Sequence, residues 1–283
     1  MFSRADQLRV MQLEEDFRLH AISYGWDDFK PGLLINDLDE GRLMPFIFER
    51  HFGFSISRKR RCIGSFIDGQ YVPCRAGASV KRFSQCPECA EEIIAVQECL
   101  FEPKCDGTLC DSPICRREHC VYIAFFGAKP KVGLTLKSRV RRRLIEQGAD
   151  AYFVADVFPN RISARKAEQE ISKRMRITER PNSITVLRSL QTPSKRKSIE
   201  EIWSGLSDSI EGRMGLKTDK LNFLDDYPLE EPLGSVPRLT ESWGVHSGRL
   251  IGIKGKFLVY ESGRLQALNL SDVPSRFLSK DSI

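Results

Sequence analysis

The sequence lacks any apolar run long enough to cross a bilayer, since the longest, around Val121, falls short of the roughly 20 residues required. Its first residues, MFSRADQLRV, carry Arg4 and Asp6 where a secretion signal needs apolar side chains. There is no internal repeat. We therefore expect a soluble, cytoplasmic protein with no membrane association. A chain of 283 residues with 41% hydrophobic content can bury at least one core, and its length favours about two domains.

Nine cysteines are present, and in a reducing compartment they are more typical of metal ligands than of disulfides. They divide into two groups of four, which are Cys62, Cys74, Cys86 and Cys89, and then Cys99, Cys105, Cys110 and Cys115. The Cys-x-x-Cys spacing of the first group lets one turn present two sulfurs to a zinc ion. In the second group the spacing is looser, so Cys120 or His119 could replace Cys99. The sequence predicts one or two structural zinc ions, and buried free thiols are the alternative.

The net charge of +6 is modest, but the basic residues are clustered. Residues 129–147 (KPKVGLTLKSRVRRRLIEQ) contain seven basic side chains and one acidic. Smaller clusters lie at residues 58–61 and 195–197. Such clusters favour a polyanionic partner, although solvated faces are the simpler explanation.

Residues 119–176 alternate between strand and helix patterns. Residues 119–135 predict a buried β-hairpin, Ser138 can cap a helix that ends before Gly148, and residues 151–157 predict a third strand. A second helix, capped by Ser163, would place Glu168 inside its apolar stripe. Because an unpaired buried carboxylate costs several kcal/mol (about 2–7 for a polar group alone), Glu168 needs a cation, a metal ion or a proton.

This segment resembles the core of the GIY-YIG nuclease superfamily. Val121-Tyr122-Ile123 corresponds to the first motif, Lys131-Val132-Gly133 to the second, Arg141 to the phosphate-contacting arginine and Glu168 to the metal ligand. The first motif lacks its glycine, and Lys131 replaces the second tyrosine. The resemblance implies that Tyr122 acts near the attacking water, that Arg141 contacts the phosphate and that Glu168 binds one Mg²⁺.

The same resemblance implies a surface along which the nucleic acid would reach the site. Its lining residues would be Lys131, Thr135, Arg139 and Arg142, which would bind neighbouring phosphates. Simpler roles are also open: Tyr122 as an ordinary strand aromatic, Arg142 paired with Glu146, and Glu168 paired with Arg141.

The whole chain also resembles an uncharacterised prokaryotic family of unknown function. The shared features are a cysteine-rich front followed by EHCVYIA, KVGLT, LIEQGA and GIKGKFLVY. This wider resemblance implies no activity.

We expect an α+β protein in four parts. These are a zinc-held antiparallel β region (residues 1–118), a ββαβα core (119–190), a helical and polar linker (191–226) and a small C-terminal β meander (227–283). Two functions fit: a zinc-stabilised, Mg²⁺-dependent nuclease, or a nucleic-acid-binding protein whose nuclease-like core is inactive. The sequence leaves open whether the nucleic acid is DNA or RNA.

Overall fold

The structure is a computed structural model that describes residues 17–81, 83–90, 114–179, 183–191, 196–230 and 232–280. The chain divides into two compact units. The first combines residues 1–94 with residues 238–283, and the second is formed by residues 95–237.

The described residues form a mixed α+β structure in which strands predominate. In chain order the strands are β1 (Leu19–Asp27), β2 (Lys30–Asp37), β3 (Arg42–Phe46), β4 (His51–Arg60), β5 (Ser65–Ile67), β6 (Gln70–Val72), β7 (His119–Phe126), β8 (Lys129–Leu136), β9 (Ala151–Phe158), β10 (Asn222–Phe223), β11 (Arg238–Leu239), β12 (Gly244–Lys254), β13 (Phe257–Ser262), β14 (Arg264–Asn269) and β15 (Arg276–Lys280). The α-helices are α1 (Val140–Gln147), α2 (Arg161–Met175), α3 (Ser183–Gln191) and α4 (Arg196–Met214). Short 3-10 helices lie at Glu88–Ala90, Lys137–Arg139 and Leu270–Asp272. None of these described helices has the combination of length and apolar character needed to span a membrane.

The first unit is built on a nine-stranded sheet in the order β11-β14-β13-β12-β4-β15-β1-β2-β3. Strand β4, from the N-terminal part of the chain, lies between two C-terminal strands, β12 and β15. Its residue Ile56 pairs with Gly244 of β12 on one side and with Leu278 of β15 on the other. Our prediction treated the N-terminal β region and the C-terminal meander as separate parts, whereas the structure places their strands in one sheet. Pairings between residues about 200 positions apart leave no local pattern in a sequence, which is why the meander looked independent.

The second unit is built on a four-stranded sheet in the order β10-β9-β7-β8. The predicted hairpin, helix, third strand and second helix are all present, as β7, β8, α1, β9 and α2. Strand β7 is buried along its full length, as its continuous apolar run predicted. Val121, Ile123 and Phe125 pack on one face of the sheet with Ala164 and Ile171 from α2.

Helix α4 packs against this same core through Ile199 and Ile210. Strand β10 then extends the sheet beside β9. Residues 191–226, which we predicted as a linker, are therefore part of the second unit. Their amphipathic pattern was visible in the sequence, but the sheet that they cover was not.

The predicted helix boundaries need correction at their N-terminal ends. Ser138 lies in a 3-10 turn, and α1 begins after Arg139 without a side-chain cap. The backbone N–H of Ser163 donates to the side chain of Asn160, so Asn160 is the cap of α2. Gly148 ends α1 with a φ of 77°, the left-handed conformation that we predicted.

Candidate active site and cysteine cluster

Tyr122 lies in the middle strand of the second unit, directly opposite Gly133 on β8. Its ring covers the glycine so closely that a Cβ atom at position 133 would lie 2.6 Å from the Tyr122 hydroxyl oxygen. A side chain at this position would therefore force the Tyr122 ring and the Lys131 ammonium group to move. Tyr122 is only 1% exposed, so its hydroxyl belongs to the protein interior.

Lys131 is buried beside this tyrosine. Its ammonium group donates hydrogen bonds to the Tyr122 hydroxyl at 3.1 Å and to Oε1 of Gln147 at 2.9 Å. The Nε2 group of Gln147 donates to the same tyrosine oxygen at 3.0 Å. Lys131, Gln147 and Tyr122 thus form a closed polar cluster, which we call the tyrosine cluster. This placement differs from our expectation that Lys131 lines an open approach for phosphates.

Arg141 is exposed on the first turn of α1. Burial raises the pKa of Tyr152, and the guanidinium of Arg141 opposes that rise through its charge and through a hydrogen bond. The structure therefore brings Arg141 to Tyr152 on β9. Tyr152 and Lys131 both pair with Ala124, so they share a face of the sheet with Tyr122.

The other arginines of α1, together with Arg139 of the preceding 3-10 turn, surround one carboxylate. Arg142 reaches Glu146 at 3.1 Å, and Arg139 and Arg143 each approach it at 3.8 Å. All three arginines are at least half exposed, so the group keeps a positive surface. The pairing of Arg142 with Glu146 is the simpler role that the helical spacing predicted.

Thr135 lies on β8 opposite Cys120 and is half-buried. Its carbonyl oxygen accepts a weak hydrogen bond from the Cys120 thiol at 3.7 Å. Thr135 shares the sheet face of Tyr122 and Gly133, because the pairing alternates along the strand.

Glu168 is buried in the apolar stripe of α2, where we predicted it. Its carboxylate accepts a hydrogen bond from Arg165 at 2.6 Å, and the same guanidinium reaches Glu179 at 2.7 Å. The partner is therefore Arg165 rather than Arg141. Burial raises the pKa of Glu168, whereas Arg165 and the more distant charge of Lys131 oppose that rise.

The structure thus brings together some of the expected residues. Tyr122 and Lys131 are in direct contact. Glu168 lies on α2, which packs on the opposite face of the sheet, that of Val121 and Ile123. Sequence reasoning missed Gln147, which donates a hydrogen bond to the Tyr122 hydroxyl oxygen. It also missed Tyr152, whose side chain is hydrogen-bonded to Arg141. Gln147 is the last residue of α1 in a sequence that offers no motif for it, and Tyr152 resembles any other strand aromatic.

The first cysteine group forms a compact cluster in the first unit. The sulfur atoms of Cys62, Cys74, Cys86 and Cys89 all lie within 4.8 Å of one another. Those of Cys74 and Cys86 are 3.9 Å apart. Backbone N–H groups of Gly64 and Cys86 point at the Cys62 sulfur, at 3.4 and 3.2 Å. Four sulfurs at this spacing can bind a metal such as zinc.

The surroundings affect the thiols of the cluster in different ways. Burial raises the pKa of Cys62 and of Cys89. At Cys74 burial acts in the same direction, but the backbone N–H of Ala78 and the neighbouring sulfurs outweigh it and lower the pKa to about 7. A bound cation would favour the thiolate form of all four.

The second cysteine group is only partly described. Cys99, Cys105 and Cys110 lie outside the described residues. Cys115 is buried, and its carbonyl oxygen accepts a hydrogen bond from the backbone N–H of Arg161 at the start of α2. The prediction of a second zinc ion stays a prediction.

These features define an α+β protein with a four-cysteine cluster able to bind a metal. The chain belongs to the family described as protein of unknown function DUF2797, whose model matches residues 50–275. No match was found among curated proteins or among solved structures. The family match agrees with the resemblance to an uncharacterised family.

Proposed function

We propose that the second unit is a GIY-YIG-like nuclease core and that the protein cleaves phosphodiester bonds of nucleic acid with the help of Mg²⁺. The tyrosine cluster carries this proposal. Burying an ammonium group, an amide and a phenol costs free energy that an apolar core would avoid. Polar groups gathered in this way at the residues of a catalytic motif favour a functional site over a structural one.

Two donors fix the orientation of the Tyr122 hydroxyl. Lys131 and Gln147 occupy the acceptor positions of its oxygen, so the O–H bond must point in a third direction. The hydroxyl is buried, so its acceptor in the proposed nuclease would be a water molecule or a phosphate oxygen that enters with the substrate. This is the orientation expected of a group that positions the attacking water.

Glu168 is the residue that would hold Mg²⁺. Magnesium ions are commonly bound by one or two carboxylates together with water and substrate phosphates, so one buried carboxylate is a sufficient protein ligand. The ion would neutralise charge that develops on the phosphoryl oxygens. The exposed Arg141 would bind a non-bridging oxygen, and Arg139 and Arg142 would bind adjacent phosphates without base preference.

A structural zinc ion in the first unit completes the proposal. Cys62, Cys74, Cys86 and Cys89 offer the closed tetrathiolate set that structural zinc prefers. Among its described residues, the segment between them has little regular structure apart from one short hairpin and the 3-10 helix at Glu88–Ala90. Metal binding would therefore supply the stability that a small apolar core cannot.

A second candidate is a nucleic-acid-binding protein that does not cleave. Two observations favour it. Tyr122 is buried away from solvent, and the Glu168 carboxylate that would bind Mg²⁺ is already paired with Arg165. In this case the arginines of α1 would provide the phosphate contacts, and the tyrosine cluster would serve the fold.

A cleavage assay separates the two candidates. Zinc-loaded protein is incubated with single-stranded and double-stranded DNA and RNA, with and without Mg²⁺. We expect cleavage only with Mg²⁺ and a large loss of rate in Tyr122→Phe. Intact substrates together with salt-dependent binding, weakened in Arg141→Ala, would replace the nuclease by the second candidate. Absence of both cleavage and binding would end both.

A further inference from the structure

A short hairpin in the cysteine-rich segment exposes aromatic and apolar side chains. Strands β5 and β6 have three residues each, and Phe66 pairs directly with Tyr71. Their ring centroids are 5.6 Å apart. Phe66 is 50% exposed, and the neighbouring Ile67 is 58% exposed. Strand β5 of this hairpin thus exposes large apolar side chains, which are usually covered.

The hairpin is too short to be stable alone, so it depends on its turn and on the residues at its base. Its tip is a two-residue turn of Asp68 and Gly69, both with positive φ (50° and 79°), the geometry that fits the twist of paired strands. Cys62 precedes the hairpin and Cys74 follows it, so two predicted zinc ligands hold its base. At the base, a Cβ atom on Gly64 would lie 2.2 Å from the Val72 carbonyl oxygen, which shows how closely the strands meet there.

The surrounding segment is basic. Residues 58–90 contain seven lysines and arginines and two acidic residues. A zinc ion on four thiolates would add two negative charges, and the segment would remain positive. Arg61 directly precedes Cys62, at the base of the hairpin. An apolar surface with this charge is complementary to a polyanion with apolar faces.

We propose that the Phe66–Tyr71 hairpin is a base-stacking platform for single-stranded nucleic acid. The π-faces of unpaired bases stack on exposed aromatic rings, and nearby cations bind the backbone between the bases. Duplexes cannot use such a platform, since their bases are already stacked on each other. The platform contains no residue of the proposed cleavage site, so binding can be tested whether or not the protein cleaves.

The test is the affinity of the full-length, zinc-loaded protein for fluorescent oligothymidylate and for a duplex, measured by anisotropy without Mg²⁺. Stacking on one ring is worth about 1–3 kcal/mol. Phe66→Ala should therefore weaken single-strand binding by a factor of roughly 5–150, with little change in duplex binding. Phe66→Trp should retain the affinity, and its added fluorescence should be quenched when the oligonucleotide binds. Val245→Ala, at an apolar position of the same unit that is 70% exposed, serves as the control and should leave binding unchanged.

Three outcomes would overturn the proposal. The first is unchanged single-strand affinity in Phe66→Ala. The second is an equal loss of single-strand and duplex binding, which would indicate charge or folding rather than stacking. The third is the absence of any single-strand binding at low salt, which would leave the hairpin as a surface for a protein partner. Zinc content and the thermal unfolding midpoint of each variant exclude loss of fold as the cause.

Discussion

Replacing Gly133 by alanine tests the geometry on which the candidate site depends. The added Cβ atom would lie 2.6 Å from the Tyr122 hydroxyl oxygen, 2.7 Å from its Cζ atom and 2.9 Å from the Lys131 ammonium nitrogen. All three distances are shorter than real contacts of a Cβ atom, so the tyrosine ring must move away. Overpacking of this kind costs about 1–3 kcal/mol. Loss of the two hydrogen bonds on the tyrosine oxygen adds about 1 kcal/mol for each.

We therefore expect Gly133→Ala to lower the free energy of unfolding of the second unit by about 3–5 kcal/mol. Urea unfolding followed by tryptophan fluorescence measures this, since Trp203 packs against the core of that unit. The matched control is Gly212→Ala in α4, where a Cβ atom meets nothing within 4 Å. It should be neutral or stabilise by up to about 1 kcal/mol. Equal stability of the Gly133→Ala variant and the wild type would refute the described packing of Tyr122 on β8.

Other predictions concern the first unit and are independent of the site. Cys86→Ser should abolish the zinc bound by the first cysteine group and lower the unfolding temperature, whereas Cys120→Ser should leave zinc content unchanged; metal analysis of purified protein distinguishes them, and wild-type protein without zinc would contradict the cluster assignment. Burial lowers the pKa of His246 to about 4 from 6.5. Its neutral form is thus favoured in the folded state, so stability should fall by roughly 2–3 kcal/mol as the pH drops from about 6.5 to about 4. His246→Gln should remove this component from the pH dependence of the unfolding midpoint, and an unchanged dependence would show that His246 accepts a proton in the folded state.

Local patterns predicted the centre of the chain well. The continuous apolar run of β7, the glycine after α1 and the apolar stripe of α2 each depend on residues close together in sequence. They gave the order of elements in the second unit and the burial of Glu168. The joining of β4 with β12 and β15 depends on residues about 200 positions apart, and no local pattern contains it.

The candidate site was predictable only in part, for a similar reason. Tyr122, Gly133 and Glu168 could be located from strand pairing and helical periodicity. The partners of these groups could not, because long side chains such as Lys131 and Gln147 can point in several directions from the same backbone. Only the packed structure shows that Lys131 faces Tyr122 and that Arg165 reaches Glu168.

The most direct test of the proposed function compares two carboxylates on the same helix. Glu168 is buried in α2, whereas Glu170 is exposed and paired with Arg174. The initial rate of Mg²⁺-dependent nucleic-acid cleavage should be lost in Glu168→Ala and retained in Glu170→Ala, with both variants folded by circular dichroism. Cleavage by Glu168→Ala at the wild-type rate would contradict the assignment of Glu168 as the magnesium ligand and, with it, the proposed active site.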